Sequence, residues 1–472
     1  MREGAYAMLT DEDRALGHEL AGAWLERRGV ADALALAEHF ERGRDASKAA
    51  LWFERASEQA LRGNDLDAAI ARAGRGLACG ASGELRAALL MRSGEAHAWR
   101  GDTAALLACS NEALHLAAPG GRVWHDALAG KLYGAARLAQ PEVLLEAVTG
   151  VREVEPDPDG QAMFMGALFH VTIALATAGQ LELAGRFLER MEHIGARMGG
   201  RDPQVRGYLD LARTFEVSYR EADAWTALEH VRRAVASFEE TDCRDRILMA
   251  RILAGFYLAC LGAYEEAEQI LRGLRSGILH VLEFGVRQVS AWIFLNRGAL
   301  DEADEELRAL IEIARGLRSD YYEGTYRRCR ADALQRRGAL EEAEREALAA
   351  IELLTMAPLD RAAALATLAA IQLAQGRAPE ALRTAREAMA PQRSLGTLSL
   401  YDAIIRLAHA EALAATGDHA AAREALREAR GRLLARAAKI SDPRVRQSFL
   451  ERVPENARTL ALAQQLEIKP AT

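Results

Sequence analysis

Apolar residues fall in short stripes with helical spacing. After Gly298 they stand at Leu300, Ala303, Leu307 and Leu310, three and four residues apart, the period of a helix buried along one side. No sustained two-residue alternation and no Asn-Gly or Asp-Gly hairpin turn interrupts this pattern, so strands are not expected. The stripes are introduced by a recurring phrase. Five clear copies are Gly262-Ala-Tyr-Glu-Glu-Ala267, Gly298-Ala-Leu-Asp-Glu-Ala303, Gly338-Ala-Leu-Glu-Glu-Ala343, Gly376-Arg-Ala-Pro-Glu-Ala381 and Gly417-Asp-His-Ala-Ala-Ala422. Their starts lie 36, 40, 38 and 41 residues apart. Looser copies begin at Arg44, Asn64, Gly179 and Ala222, and the weakest follows Gly101.

Each position of the phrase has a physical reason. Glycine ends a helix in a left-handed turn that other residues enter only with strain. Acidic residues then occupy the first turn of the next helix, where the macrodipole favours negative charge. The alanine five positions on lets two helices approach closely. Repetition at this period predicts an all-α fold, a right-handed α-solenoid of about ten or eleven stacked helical hairpins. Glu265, Glu266 and Glu268 read as a solvated face.

The ends differ from the middle. Thr10-Asp-Glu-Asp13 predicts a capped helix start, with Leu16, Leu20, Trp24 and Leu25 pointing inward. Asp442-Pro443 and Val453-Pro454 predict two further helix starts, whose Phe449, Leu450, Leu460 and Leu462 cover the last hairpin. Pro119-Gly-Gly121, Glu155-Pro-Asp-Pro-Asp-Gly160 and Gly199-Gly-Arg-Asp-Pro203 read as loops between hairpins. The expected division is an N-terminal capping helix over residues 1–30, repeats over 31–435 and a C-terminal cap over 436–472.

The phrases resemble the tetratricopeptide repeat. Gly262, Tyr264, Ala267 and Leu271 match its turn pattern, as do Gly298, Leu300, Ala303 and Leu307. The spacing departs from it, nearer 40 than roughly 34 residues. Both ends resemble the repeat-containing tails of large bacterial signalling proteins in which a kinase or sensor module and a signal-transduction ATPase come first. The residues are Tyr6 to Arg14, His18, Trp24-Leu25 and Ala37-Glu-His-Phe40 at one end. At the other they are Ser441-Asp-Pro443, Ser448-Phe-Leu450, Val453-Pro-Glu-Asn456 and Arg458-Thr-Leu460. The resemblance implies a regulatory, partner-binding array, either independent or part of a longer gene product.

Composition narrows the function. The 472 residues carry 60 basic and 68 acidic side chains, a net charge of −8, which provides no long-range attraction to nucleic acid or anionic membrane. Half of the residues are apolar, enough for a large interior. No apolar run approaches the roughly 20 residues of a membrane span. The five dispersed cysteines (79, 109, 243, 260 and 329) suit a reducing cytoplasm better than a disulfide framework. Lysine occurs only at 48, 131, 439 and 469; the other cations are arginine.

Local signals for chemistry are absent. There is no phosphate loop, kinase signature or zinc-protease motif, and the histidines stand singly. Neither a cofactor nor a metal is expected. The turn Glu155–Gly160 lacks the ligand spacing of a calcium loop. Arg327, Arg328, Arg330, Arg336 and Arg337 form a basic run, but Glu341, Glu342, Glu344 and Glu346 follow across the turn, so mutual pairing is the simpler reading. Cys329 beside these arginines is read as a buried, inert thiol in preference to an activated one.

In tetratricopeptide arrays the first helix of each hairpin lines the concave face. Counted back from the turn glycines, the matching positions are Ile252 and Phe256, Gln288 and Trp292, Arg328 and Asp332, and Leu407 and Glu411. Their mixture of aromatic, amide and charge suits a protein or peptide partner. The expectation is a non-enzymatic interaction scaffold, with an ATPase or kinase module as one possible partner. A small-molecule inducer sensor is the alternative, and an enzyme on a helical scaffold the remote one.

Overall fold

The computed structural model describes the chain apart from residues 1–5, 7, 138–139, 141, 144–145, 147, 150, 152–155, 157–159, 199, 242–243, 275–279, 392–399 and 469–472. Most of the acidic turn 155–160, together with Gly199 and Cys243, therefore lies outside the described residues. Among those described, the regular elements are helices and no strand occurs. They are α1 (Asp11–Arg27), α2 (Ala33–Arg42), α3 (Ala46–Arg62), α4 (Leu66–Ala78), α5 (Gly83–Trp99), α6 (Thr103–Leu116), α7 (Arg122–Arg137) and α8 (Gln161–Thr177). Next come α9 (Leu181–Arg197), α10 (Pro203–Glu221), α11 (Ala224–Glu239), α12 (Arg244–Cys260), α13 (Tyr264–Leu274), α14 (His280–Arg297), α15 (Leu300–Gly316) and α16 (Asp320–Arg336). The rest are α17 (Leu340–Leu353), α18 (Pro358–Ala374), α19 (Ala378–Ala388), α20 (Asp402–Ala415), α21 (His419–Lys439), α22 (Pro443–Glu451) and α23 (Pro454–Ile468).

Among the described residues the fold is all-α, built from helical hairpins. Two compact units divide it, Met1–Ala167 and Leu168–Ile278 with Leu282–Thr472. In the first unit successive helices pack on one another, and α3, α5 and α7 also stack directly, which is the arrangement of piled hairpins. Its core passes from Leu36, Phe40 and Phe53 to Ala73 and Leu89.

The recurring phrase behaves as its chemistry demands. Its first residue has positive φ in every copy, from 53° at Ala222 to 85° at Gly417, and even Arg44 and Asn64 are held there. Its alanine is fully buried in all five clear copies, at 267, 303, 343, 381 and 422. Where the phrase carries aspartate after its first residue, that side chain caps the next helix, as Asp102, Asp223 and Asp418 do. In the alanine versions Glu265, Glu266, Asp301, Glu302, Glu341 and Glu342 fall in the first turn instead.

One expectation is overturned at α1. Thr10 does cap it, accepting from the Asp13 N–H at 3.1 Å, and Leu25 packs inward. Leu16, Leu20 and Trp24, however, are 54%, 60% and 51% exposed. The side facing α2 is set instead by Gly22, whose missing side chain leaves room for the Phe40 ring. Glu26 anchors the same side by accepting from Lys48 Nζ and Trp52 Nε1, both at 3.2 Å.

The second unit closes on itself. Pro443 and Pro454 open α22 and α23 as expected, but their reach extends well beyond the last hairpin. Leu433, Val445, Phe449 and Val453 belong to the same apolar cluster as Trp225, Leu258, Tyr264 and Ile293. Lys439 meets Glu221 at 2.7 Å and Asp223 at 3.1 Å, and the Tyr264 hydroxyl donates to the Arg452 carbonyl at 3.0 Å. Arg452 holds Glu265 through two 2.7 Å hydrogen bonds, which bring its carboxyl down to about 2. Glu265 is thus an anchor as well as a surface group.

Gly262 sits at this closure. A Cβ there would lie 2.6 Å from the Ser448 carbonyl oxygen, whereas nothing lies within 4 Å of one at Gly338. Gly338→Ala is expected to cost about 1 kcal/mol from backbone strain alone, and exposed Arg318, at φ 52°, should gain a similar amount as glycine. Gly262→Ala should cost clearly more than Gly338→Ala in urea denaturation. Equal costs would mean that α22 does not press on this turn.

Candidate functional site

The basic run on α16 divides by direction. Arg327 pairs with Glu323 and Glu346, and Arg330 with Asp304, Glu342 and Glu346. Arg336 takes Asp332 at 2.8 Å, and Arg337 takes Asp301 and Asp304. Four of the five arginines thus pair with carboxylates of their own and neighbouring hairpins, Glu342 and Glu346 among them. Glu344 instead receives Arg377.

Arg328 does not follow them. It is 2% exposed and, among the described residues, donates only to Cys329 Sγ, at 3.2 Å. Its guanidinium carbon lies 5.6 Å from the centre of the Trp292 ring and 5.1 Å from that of Tyr401. Among the described residues it forms no ion pair. A desolvated cation–π contact contributes up to about 2 kcal/mol. Two of them offset only part of the cost of burying an ion, several kcal/mol even after relaxation. Burial works against the charge, yet Cys329, Tyr401, Asp332 and Asp360 outweigh it and hold the Arg328 pKa above its ordinary value.

The other predicted positions surround this side chain in part. Phe256 of α12 meets Trp292 of α14 with ring centres 6.5 Å apart, so Phe256, Trp292 and Arg328 form a continuous row. These residues are 36 apart in sequence, a constant step that bypasses the wider gap between their turn glycines. Ile252 packs with Phe256 and Trp292 against the large cluster, and Gln288 is half-buried on α14. Asp332 is engaged by Arg336. Leu407 is buried on α20, and Glu411 of the same helix receives Arg458 of α23 at 2.9 Å.

Sequence counting passed over four contributors. Tyr321, about two turns before Arg328, directs its hydroxyl to Asp360 Oδ1 at 3.5 Å. Tyr401 lies immediately before α20, and Tyr219 on α10 shares a 3.3 Å hydrogen bond with Thr177 while facing Tyr321 and Asp360. Asp360 is buried on α18, and burial raises its pKa to about 6 against the lowering pull of Arg328, Tyr401 and Tyr321. No repeat phrase marks these residues, because they come from different registers of different helices. Trp292, Tyr219, Tyr321 and Tyr401 each keep part of their surface accessible. Burial raises the Glu455 pKa on α23 as well, and Arg336 and Arg328 oppose that shift.

Cys329 is buried, and burial pushes its thiol above the ordinary value despite Arg328 beside it, which describes an inert group. Among the described residues no three His, Cys, Asp or Glu side chains gather as a metal would require, and no helix is long and apolar enough to cross a membrane. His18 and His39, single in sequence, do meet in the first unit with their Nδ1 atoms 3.1 Å apart.

No family model and no curated protein matches the chain. Among solved structures it is similar to a Rap protein complexed with competence and sporulation factor, at 16% identity over 73% of this chain and 97% of that one, TM-score 0.48. It is also similar to the APC/C hetero-tetramer Cut9–Hcn1, at 14% identity over 98% and 95%, TM-score 0.46. The apo quorum sensor NprR from B. thuringiensis shows 12% identity over 80% and 97%, TM-score 0.33.

The Asp360 pKa carries a sign for stability. The folded chain binds this proton more tightly than the unfolded chain, whose aspartate titrates near 3.8. Its favourable contribution is complete below pH 4 and is lost as pH rises towards 6. Asp360→Asn should therefore remove about 2 to 3 kcal/mol of pH dependence between pH 4 and 7. The comparison is between urea-denaturation profiles of the two proteins, and parallel profiles would contradict the assignment.

Proposed function

We propose that the chain is a non-enzymatic regulatory scaffold whose second unit captures a protein or peptide element on its inner face. The observation that carries this reading is the row Phe256–Trp292–Arg328 with Tyr401, contributed by successive hairpins and retaining accessible aromatic surface. Aromatic and arginine side chains in a desolvated setting are the usual anchors of recognition, because each contributes large contact area or directional hydrogen bonds at low entropic cost.

The closure by α21 to α23 constrains the occupant. With Lys439 held at Glu221 and Asp223, Arg452 at Glu265, and Phe449 in the cluster that Phe256 packs against, a thin element such as an extended peptide or side chain suits the inner face, and a broad domain surface does not. This moves the reading towards the sensor alternative, in which docking of a slender ligand alters an effector. The effector we assign to it is a separate signalling module of the ATPase or kinase kind.

Peptides selected on the full-length chain by phage display should lose at least tenfold in affinity for Trp292→Ala and for Phe256→Ala. Met356→Ala, on exposed surface, should leave them unchanged. Selected peptides that bind all three variants equally would place recognition elsewhere.

A further inference from the structure

The large apolar side chains left exposed gather at one place. Tyr6, Met8, Leu9, Leu16, Leu20 and Trp24 all lie on or just before α1, whereas Leu51, Leu348, Met356 and Leu434 stand apart in sequence. The helix itself is firmly seated: Gly22 meets the Phe40 ring, Leu25 enters the first core, and His18 meets His39 of α2. Those three residues share one side of α1. At about 100° of turn per residue, Leu16, Leu20 and Trp24 fall on the opposite side, which agrees with their exposure.

This outward side has the same spacing read from either end, with opposite charges at its two limits. Asp13, Leu16, Leu20, Trp24 and Arg27 follow one another at intervals of three, four, four and three residues, and all five are exposed. Each lies within about 40° of Leu20 around the helix axis. The Asp13 carboxylate accepts from the Thr10 hydroxyl, and Arg27 donates to the Ala23 carbonyl. Among the described residues neither forms an ion pair.

A second α1 laid antiparallel on this side, with a two-fold axis at Leu20, sets Leu20 against Leu20, Leu16 against Trp24 and Asp13 against Arg27. The last two contacts then occur twice, as an interface between identical surfaces requires. The flanking positions agree, since Glu12 falls opposite Arg28. A parallel pair would instead press Asp13 on Asp13 and Arg27 on Arg27. Gly17, beside Leu16, has nothing within 4 Å of a Cβ position, which leaves room for the incoming Trp24 ring.

We propose that this chain self-associates through α1, two copies pairing antiparallel so that the apolar stripes are buried and opposite charges meet at both ends. A contiguous apolar stripe with polar limits is the usual mark of such a contact. One pair of 17-residue helices, about 26 Å long, makes an interface at the small end of the stable range, which sets dissociation in the micromolar range. No residue of the second unit's inner face is involved, so peptide capture there and pairing through α1 stand or fall separately.

Sedimentation velocity of the full chain, from low micromolar to several hundred micromolar, should show a reversible monomer–dimer equilibrium. Leu20→Glu, which places like charges on the axis, should leave a monomer with an unchanged circular dichroism spectrum. Asp13→Arg and Arg27→Asp should each weaken the dimer about tenfold, because each sets like charges together at both ends. An equimolar mixture of these two variants should recover the wild-type affinity, since each end of the mixed pair again joins an acid to a base. Mixing would not rescue an effect on folding. A chain that stays monomeric throughout the range would overturn the proposal and assign this side of α1 to a different protein. A dimer untouched by Leu20→Glu, or variants that fail to recover on mixing, would overturn it as well.

Discussion

A helical hairpin of this composition cannot shelter its own apolar side. The alanine of each phrase brings two helices close, but two helices still expose the opposite stripe, and only the next hairpin covers it. In the second unit this requirement is met in an uncommon way. The last helices return to α11–α14 and complete their core, so Leu433, Val445 and Phe449 do for the middle of the unit what a following repeat would otherwise do. The constraint on what can reach the inner face beside Phe256 follows from that return.

Polar side chains within the closed unit show how the interior is balanced. Tyr257 and Ser218 satisfy each other at 2.8 Å, and Arg406 finds Asp402 at 2.6 Å. Against these paired groups, Arg328 forms no ion pair among the described residues, and burial pushes Asp360 towards its protonated form. Buried groups left in this condition are costly, and they tend to mark places where something other than stability has shaped the sequence.

Much of the fold was legible along the chain because its signals are local. The turn glycines, the aspartate caps and the buried alanine each act within six residues, so periodicity exposes them. The first helix misled for a physical reason: Leu16, Leu20 and Trp24 have core spacing, but which stripe faces the neighbour is decided by Gly22 and Phe40 across the hairpin. The site was legible in half. Phe256, Trp292 and Arg328 follow from counting repeats, and the pairing of the other arginines from the acidic stretch after them. Tyr219, Tyr321, Asp360 and Tyr401 were not, because they meet from helices far apart in sequence, which no single repeat encodes. Nor does the sequence tell that Lys439 and Arg452 reach helices some two hundred residues earlier.

That return of the C-terminal helices is the claim on which the closed second unit depends, and the scarcity of lysine makes it directly measurable. Zero-length carbodiimide cross-linking of the full chain, read by peptide mass spectrometry, should join Lys439 to Glu221 or Asp223, which lie 2.7 Å and 3.1 Å from its ammonium group. Lys439 found joined only to carboxylates of its own hairpin, with neither of these links formed, would contradict the closed unit.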